Sequence, residues 1–144
     1  MRPTEWDTTM LSKLLRAAVL GAATMLMPAL LAPAALAAAS DYRFEVVSTR
    51  PAGPHKTDVT LRLVRLPDNK PVSDAVVFQT KADMAPAGMP TMTGAVAPQA
   101  AQQPGTYRFQ VDTGMAGGWA LTLAAKVQGE PETVRATVTF NAAQ

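Results

Sequence analysis

Three methionines, Met84, Met89 and Met92, stand within nine residues of one segment, and a fourth, Met115, follows further along the chain. The segment 81–93 is otherwise rich in Pro, Ala and Gly, which is typical of a connection between strands. A thioether is a soft, uncharged donor that needs no deprotonation, so it suits Cu(I) and its surrogate Ag(I). Because the chain contains no Cys, thioethers are its only soft ligands. The spacing therefore predicts a Cu(I) site built from methionines.

The only histidine, His55, lies between Pro54 and Lys56. An imidazole is a common metal ligand, so His55 enters the candidate set as an optional donor. A single histidine in a connection is more often solvated than bound to a metal. The predicted metal site comprises the residues Met84, Met89, Met92, Met115 and His55.

Other reactive chemistry is absent from the sequence. Nucleophilic catalysis needs a base beside the nucleophile, and neither Ser48 nor Ser73 belongs to such a motif. The carboxylates are scattered singly, with no pair spaced to set one acid against another. The glycines around position 117 are not followed by the Lys-Ser/Thr of a phosphate-binding loop. We therefore expect no enzyme activity, no catalytic or organic-cofactor residues, and no small-molecule substrate.

The N-terminal region has the pattern of an export signal. Lys13 and Arg16 precede an apolar run over residues 17–31, and the small-residue motif Ala35-Leu-Ala37 follows it. This pattern predicts a signal peptide over residues 1–37, with Met10 as an alternative start. An uncleaved membrane anchor is the competing interpretation, because residues 17–39 are long enough to span a bilayer. Both interpretations predict a periplasmic or otherwise exported protein.

The composition after this segment limits the remaining classes. Removing residues 1–37 leaves ten basic and nine acidic side chains, a net charge of about +1. The basic residues are interleaved with acids and form no stripe, so no nucleic-acid partner is expected. The lack of Cys excludes a disulfide scaffold, a Cys-ligated zinc site and a thiol nucleophile. Residues 40–144 are enough for one domain with a single core.

This remaining part of the sequence is typical of an all-β protein. From Ser40 onward, β-branched and aromatic residues alternate with polar ones, and turn residues recur about every 8–12 positions. The fold class expected is an immunoglobulin-like antiparallel sandwich of about seven strands, preceded by the signal peptide. The predicted strands A to G are Tyr42–Ser48, Lys56–Leu66, Val72–Thr80, Thr93–Ala97, Gly105–Val111, Trp119–Val127 and Thr133–Phe140.

The alternation also predicts which side chains face the core. Burying each large aromatic contributes about 1.5–3 kcal/mol, so these residues are expected to be core rather than a ligand platform. The predicted inward residues are Tyr42, Phe44, Val46, Val59, Leu61, Leu63, Val76, Phe78, Tyr107, Phe109, Val111, Trp119, Leu121, Leu123, Val134, Ala136, Val138 and Phe140. The four methionines after position 40 are all expected in loops.

Strand parity brings the candidate ligands together. In an antiparallel sandwich successive connections alternate between the two ends, so the A–B, C–D and E–F connections emerge at the same end. That end would hold the whole candidate set, with Trp119 beneath it in sulfur–aromatic contact. This grouping of the ligands depends on residues 93–97 forming strand D. Two other interpretations stay open, in which the methionines form a packing lid over the sandwich or an unstructured surface.

Several motifs in this part of the chain resemble those of one family. They are Lys70-Pro-Val-Ser-Asp-Ala-Val-Val-Phe78, the methionine segment 84–92, Pro104-Gly-Thr-Tyr107, and Met115-Ala-Gly-Gly-Trp-Ala-Leu-Thr-Leu123. Together, over residues 42–140, they resemble the YtkA-like/FixH-like family of exported Ig-like domains. Family loops are often rich in both Met and His, whereas residues 82–93 contain no His, which favours Cu(I) over Cu(II).

The resemblance implies periplasmic copper handling, beside a membrane efflux system or in the assembly of a respiratory oxidase. The function expected is that of a Cu(I)-binding accessory protein, or metallochaperone, in copper delivery or copper tolerance. The alternative is a metal-free Ig-like interaction module that docks onto a membrane-associated assembly through an adaptable methionine surface.

Overall fold

The structure, a computed structural model, describes residues 38–143 of the chain. Strands form most of this part. Two short 3-10 turns, Ala39–Asp41 and Ala85–Ala87, accompany the strands. The strands are β1 (Tyr42–Pro51), β2 (Lys56–Arg65), β3 (Lys70–Pro71), β4 (Val76–Met84), β5 (Met89–Gly94), β6 (Val96–Gln99), β7 (Thr106–Asp112), β8 (Gly117–Lys126) and β9 (Thr133–Ala142).

The strands form two sheets. The first sheet has the order β1-β2-β7-β6, with β3 paired to β2, and the second sheet has the order β5-β4-β8-β9. Every recorded pair is antiparallel. The expected all-β antiparallel sandwich is therefore confirmed, with nine strands in the described residues instead of about seven.

The strand predicted over residues 93–97 is two strands joined at Ala95. β5 pairs with β4 in the second sheet, and β6 pairs with β7 in the first. The chain thus changes sheets in the middle of one extended stretch. A Cβ atom on Gly94 would lie 2.0 Å from the carbonyl oxygen of Asp112 and 3.2 Å from Cζ3 of Trp119. Only glycine fits at this crossing, because any side chain would collide with backbone.

The core lies between the sheets and follows the sequence pattern closely. The inward positions predicted on strands β2, β7, β8 and β9 are confirmed as buried or packed against the core. The predictions for Val46, Val76 and Phe78 are wrong, because these side chains are 40%, 65% and 55% exposed. Each lies beside a register shift, between Val46 and Ser48 in β1 and between Val77 and Gln79 in β4.

The bulge in β4 exchanges the faces of its side chains. Phe78 has no partner on β8, and its neighbour Val77 packs against the core in its place. A bulge inserts one extra residue and so moves the following side chains to the other face. The simple alternation from Val76 to Phe78 therefore assigns the wrong side chains to the core.

The start of β4 also differs from the predicted strand C. Residues 72–75 are a connection that crosses from the first sheet to the second. The Tyr107 hydroxyl donates to the carbonyl oxygen of Val72 at 2.7 Å and accepts the Ala75 N–H at 3.1 Å. One side chain thus satisfies two backbone groups that a strand partner would otherwise pair. β4 begins four residues later than predicted and continues to Met84.

The predicted signal peptide, the alternative start at Met10 and most of the alternative anchor lie outside the described residues. No helix within residues 38–143 has the length and apolar character needed to cross a bilayer.

Candidate metal centre

Three connections meet at one end of the sandwich, which we call the methionine pole. They are residues 52–55 between β1 and β2, residues 85–88 between β4 and β5, and residues 113–116 between β7 and β8. The strand registers bring them together, because β2 begins beside the end of β7, and β4 ends beside the start of β8. The connections expected from strand parity to share an end therefore do so.

Hydrogen bonds hold two of these connections together. The carbonyl oxygen of His55 accepts the backbone N–H of Thr113 at 2.7 Å. Beneath this bond, the hydroxyls of Thr57 and Thr113 lie 3.0 Å apart, and both residues are 2% exposed. Sequence reasoning missed this pair, because neither threonine gives a signal in the sequence of a buried partner 56 residues away.

Met84 and Met89 lie on strands rather than in a loop. Met84 is the last residue of β4, is 1% exposed, and is the register partner of Met89, the first residue of β5. Met89 is partly buried and packs against the core. The prediction that all four methionines lie in loops is thus wrong for this pair. It failed because the end of β4 was placed four residues too early and the start of β5 four residues too late.

The turn that follows β4 packs against the start of β8, beside Met84. Cε of Met84 lies 3.5 Å from the position that a Cβ on Gly117 would occupy. Pro86, in the turn, has its Cβ 3.2 Å from the corresponding position on Gly118. The close approach of the turn to the start of β8 depends on these two glycines. Met84 therefore forms the inner layer of the pole.

Met92 and Met115 form the outer layer. Met92 lies in β5 rather than in a loop, and it is 37% exposed. It falls in the irregular stretch of β5 between the register pairs Met84–Met89 and Asp83–Thr93. Met115 is in the β7–β8 connection and is 43% exposed. Packing in the core explains Met84 and Met89, but it does not explain two large thioethers in contact with water.

Trp119 supports the outer layer, although by a different contact from the expected one. The indole is buried, and its Nε1–H donates to the carbonyl oxygen of Met115 at 3.0 Å. This bond satisfies the indole donor and fixes the backbone of the β7–β8 connection. The recorded contact is thus a hydrogen bond to the backbone of Met115 rather than a contact with sulfur.

Asp83 holds the turn that carries Pro86. Its Oδ1 accepts the Ala85 N–H at 3.1 Å, and its Oδ2 lies 2.9 Å from the Lys81 ammonium. The hydrogen bond from Lys81, followed by that from Ala85, lowers the pKa of the Asp83 carboxyl from its usual value. The short polar side chain two residues before the bonded amide is the signal that could have identified this turn.

His55 is exposed at the pole, with a backbone φ of 58° in the left-handed region. All five predicted ligands therefore come from elements that meet at this end, four of them carrying neutral sulfur. Among residues 38–143, no group of three or more His, Cys, Asp or Glu side chains could hold a metal ion. The chemistry offered by the pole is that of soft, neutral donors, which prefer a soft monovalent cation.

Comparison with known families gives one match. A family model described as YtkA-like matches residues 36–124, which is more than half of the chain and contains all five candidate ligands. A search of curated proteins finds no significant match.

Proposed function

Because the chain belongs to the YtkA-like family, we propose that it is an exported accessory protein that binds Cu(I) at the methionine pole. In this proposal it has no enzyme activity and acts in copper delivery or copper tolerance in the periplasm. The observation that carries the proposal is the exposure of Met92 and Met115 at the end of the sandwich that also holds Met84, Met89 and His55. These two thioethers are 37% and 43% exposed, so packing in the core does not account for them.

The layers of the pole suggest different roles for the ligands. Met92 and Met115 would meet the ion first, since their side chains are accessible. Met89 would add a third sulfur from the pole's half-buried edge. Met84 would shield the inner side of the ion, and His55 would be an optional donor. Thioether ligands exchange readily, so the ion could pass to a partner.

The position of the first described residues is compatible with such a transfer. Ala39 donates its backbone N–H to Oε2 of Glu132 at 3.0 Å, and Leu66 donates to the carbonyl oxygen of Asp41 at 2.7 Å. Both contacts lie at the end of the sandwich opposite the methionine pole. A partner in a membrane efflux system or a respiratory-oxidase assembly could therefore approach the pole without meeting the first described residues.

An anaerobic Cu(I) competition titration tests the proposal. The variant Met92→Leu/Met115→Leu keeps the apolar surface and changes only exposed side chains, so its fold should be intact. We expect it to bind Cu(I) at least about tenfold more weakly than the wild type, the equivalent of about 1.4 kcal/mol. Met84→Leu should weaken binding less if this sulfur only shields the ion. An Ag(I) titration should give the same order of affinities.

Two results would contradict the proposal. One is a wild type with no measurable Cu(I) affinity, and the other is an affinity unchanged by the double substitution. The exposed side chains of Met92 and Met115 would then support the alternative function, a metal-free module that docks through its methionine surface. That function predicts partner capture that survives the leucine substitutions and is lost when residues 85–92 are deleted.

A further inference from the structure

A polar groove of about 290 Å³ lies on the outer face of the first sheet. Three adjacent strands and the β6–β7 connection line it: β1 provides Val47, Ser48 and Arg50, β2 provides Asp58 and Thr60, β7 provides Thr106 and Arg108, and the connection provides Gln102 and Gln103. Its size is near the lower end for ligand pockets, about 300–1,000 Å³, so it suits a small molecule.

The groove is an ordered part of the fold. The Thr106 hydroxyl donates to the carbonyl oxygen of Gln103 at 2.6 Å, and the Thr106 N–H donates to the same oxygen at 3.2 Å. These bonds hold the β6–β7 connection against the sheet. On the opposite side, the register shift between Val46 and Ser48 bends β1. The two walls are therefore fixed by backbone geometry.

The charges in the groove do not balance. Asp58 accepts hydrogen bonds from Arg108 and, at 3.4 Å, from Nε2 of Gln110. Arg50 is the register partner of Asp58 on β1, yet that carboxylate is already engaged. Over residues 38–143, the Arg50 guanidinium makes no recorded hydrogen bond or ion pair. Two arginines and one aspartate leave one positive charge without a counterpart.

Other groups in the groove have unused hydrogen-bonding capacity. The hydroxyls of Ser48 and Thr60 and the side-chain amides of Gln102 and Gln103 make no recorded bond to the described part of the protein. Hydroxyls and amides both donate and accept, so they can recognise the hydroxyl or amide groups of a ligand. A guanidinium pairs with carboxylate or phosphate oxygens through two parallel bonds.

We propose that this groove binds a small polar anion, whose carboxylate or phosphate group pairs with Arg50 and whose hydroxyl or amide groups contact Gln102 and Gln103. The sequence gives no signal of it, because its residues come from three separate segments of the chain. The site is independent of the methionine pole, so the two proposals can fail separately.

Titrations followed by amide NMR on the copper-free protein test the proposal. The probes are citrate for carboxylates, glycerol 3-phosphate for phosphate, and glycerol as a neutral control. We expect one of the anions to bind with millimolar or better affinity and to shift the side-chain NH₂ signals of Gln102 and Gln103, whereas glycerol should not. The anion that binds more tightly assigns the recognised group.

Arg50→Gln should weaken binding of that anion at least about tenfold, since it removes the charge-assisted pair. Arg135→Gln is the matched control, because Arg135 is exposed on the second sheet and also has no recorded partner among the described residues. It should leave the affinity within about twofold of the wild type. Met92→Leu/Met115→Leu should bind the anion as the wild type does.

Three results would overturn the proposal. The first is the absence of binding by both anions at millimolar concentration. The second is equal weakening by the two arginine substitutions, which would indicate attraction to net charge alone. The third is binding unaffected by Arg50→Gln, which would place the anion elsewhere.

Discussion

Single buried polar groups hold the methionine pole in shape. Thr57, at the start of β2, and Thr113, in the β7–β8 connection, place their hydroxyls 3.0 Å apart, away from water. A buried hydroxyl that loses its partner keeps its desolvation cost, whereas removing both hydroxyls removes the cost as well. The energetic contribution of the pair can therefore be separated from that of the side-chain volume.

We predict that Thr113→Val lowers the free energy of unfolding by about 1–3 kcal/mol, because it leaves the Thr57 hydroxyl unpaired. The double variant Thr57→Val/Thr113→Val should lose clearly less than the sum of the two single changes. Urea unfolding of the four proteins measures the coupling. Strictly additive losses would show that the two hydroxyls do not depend on each other.

The candidate ligands show what sequence can predict at this scale. Residue type alone identifies Met84, Met89, Met92 and Met115 as soft donors, and strand parity assigns them to one end. The four side chains differ in how exposed they are, and the sequence gives no sign that Met84 is buried while Met92 is exposed. That division depends on where β4 ends and on how the turn containing Pro86 packs over Gly118.

Among the elements, the β4–β5 connection depends on one carboxylate. Asp83 binds the Ala85 amide and pairs with Lys81, and both interactions favour the charged form. Its pKa is therefore lower in the folded state than in the unfolded chain. A group shifted in this direction contributes stability above its unfolded pKa, about 3.9, and that contribution is lost as the pH falls through the folded value.

We predict that Asp83→Asn destabilises the protein by about 1 kcal/mol at neutral pH, because it removes charge-assisted bonds. Below about pH 4 the difference from the wild type should shrink, because the carboxyl is protonated first in the unfolded chain and then, at lower pH, in the folded protein. Urea unfolding at a series of pH values measures this. Asp112→Asn, which changes an exposed carboxylate, is the control and should keep the wild-type acid sensitivity. A constant difference between Asp83→Asn and the wild type at all pH values would contradict the prediction.

Strand prediction succeeded where alternation is regular and failed at interruptions of the ladder. β2, β7, β8 and β9 have their large apolar residues on one face, so period-two alternation identified them. In β4 the bulge at Phe78 reverses the faces, and the Tyr107 hydroxyl replaces a strand partner for residues 72–75. Both features are contacts between distant segments, which local patterning does not record.

For the whole molecule, the important feature is the point where one stretch of chain joins the two sheets. β5 and β6 are separated by Ala95 alone, yet they belong to opposite sheets. The backbone of Asp112, at the end of β7, lies against Gly94 at this crossing, and the Asp112 amide donates to the carbonyl oxygen of Ala95 at 2.9 Å. The same crossing contacts Trp119, whose indole fixes Met115. Packing between the sheets and the shape of the methionine pole are thus coupled at one glycine.

We predict that Gly94→Ala lowers the free energy of unfolding by at least about 2 kcal/mol, because its Cβ would lie 2.0 Å from the Asp112 carbonyl oxygen and the backbone must move. Gly114→Ala is the matched control, since a Cβ there meets nothing within 4 Å, and its stability should change by no more than about 0.5 kcal/mol. Denaturant unfolding compares the two. The Trp119 fluorescence of the folded Gly94→Ala variant should also shift, because its ring lies 3.2 Å from the new methyl position. A variant as stable as the wild type would mean that the strand can pass between the sheets without this close backbone contact.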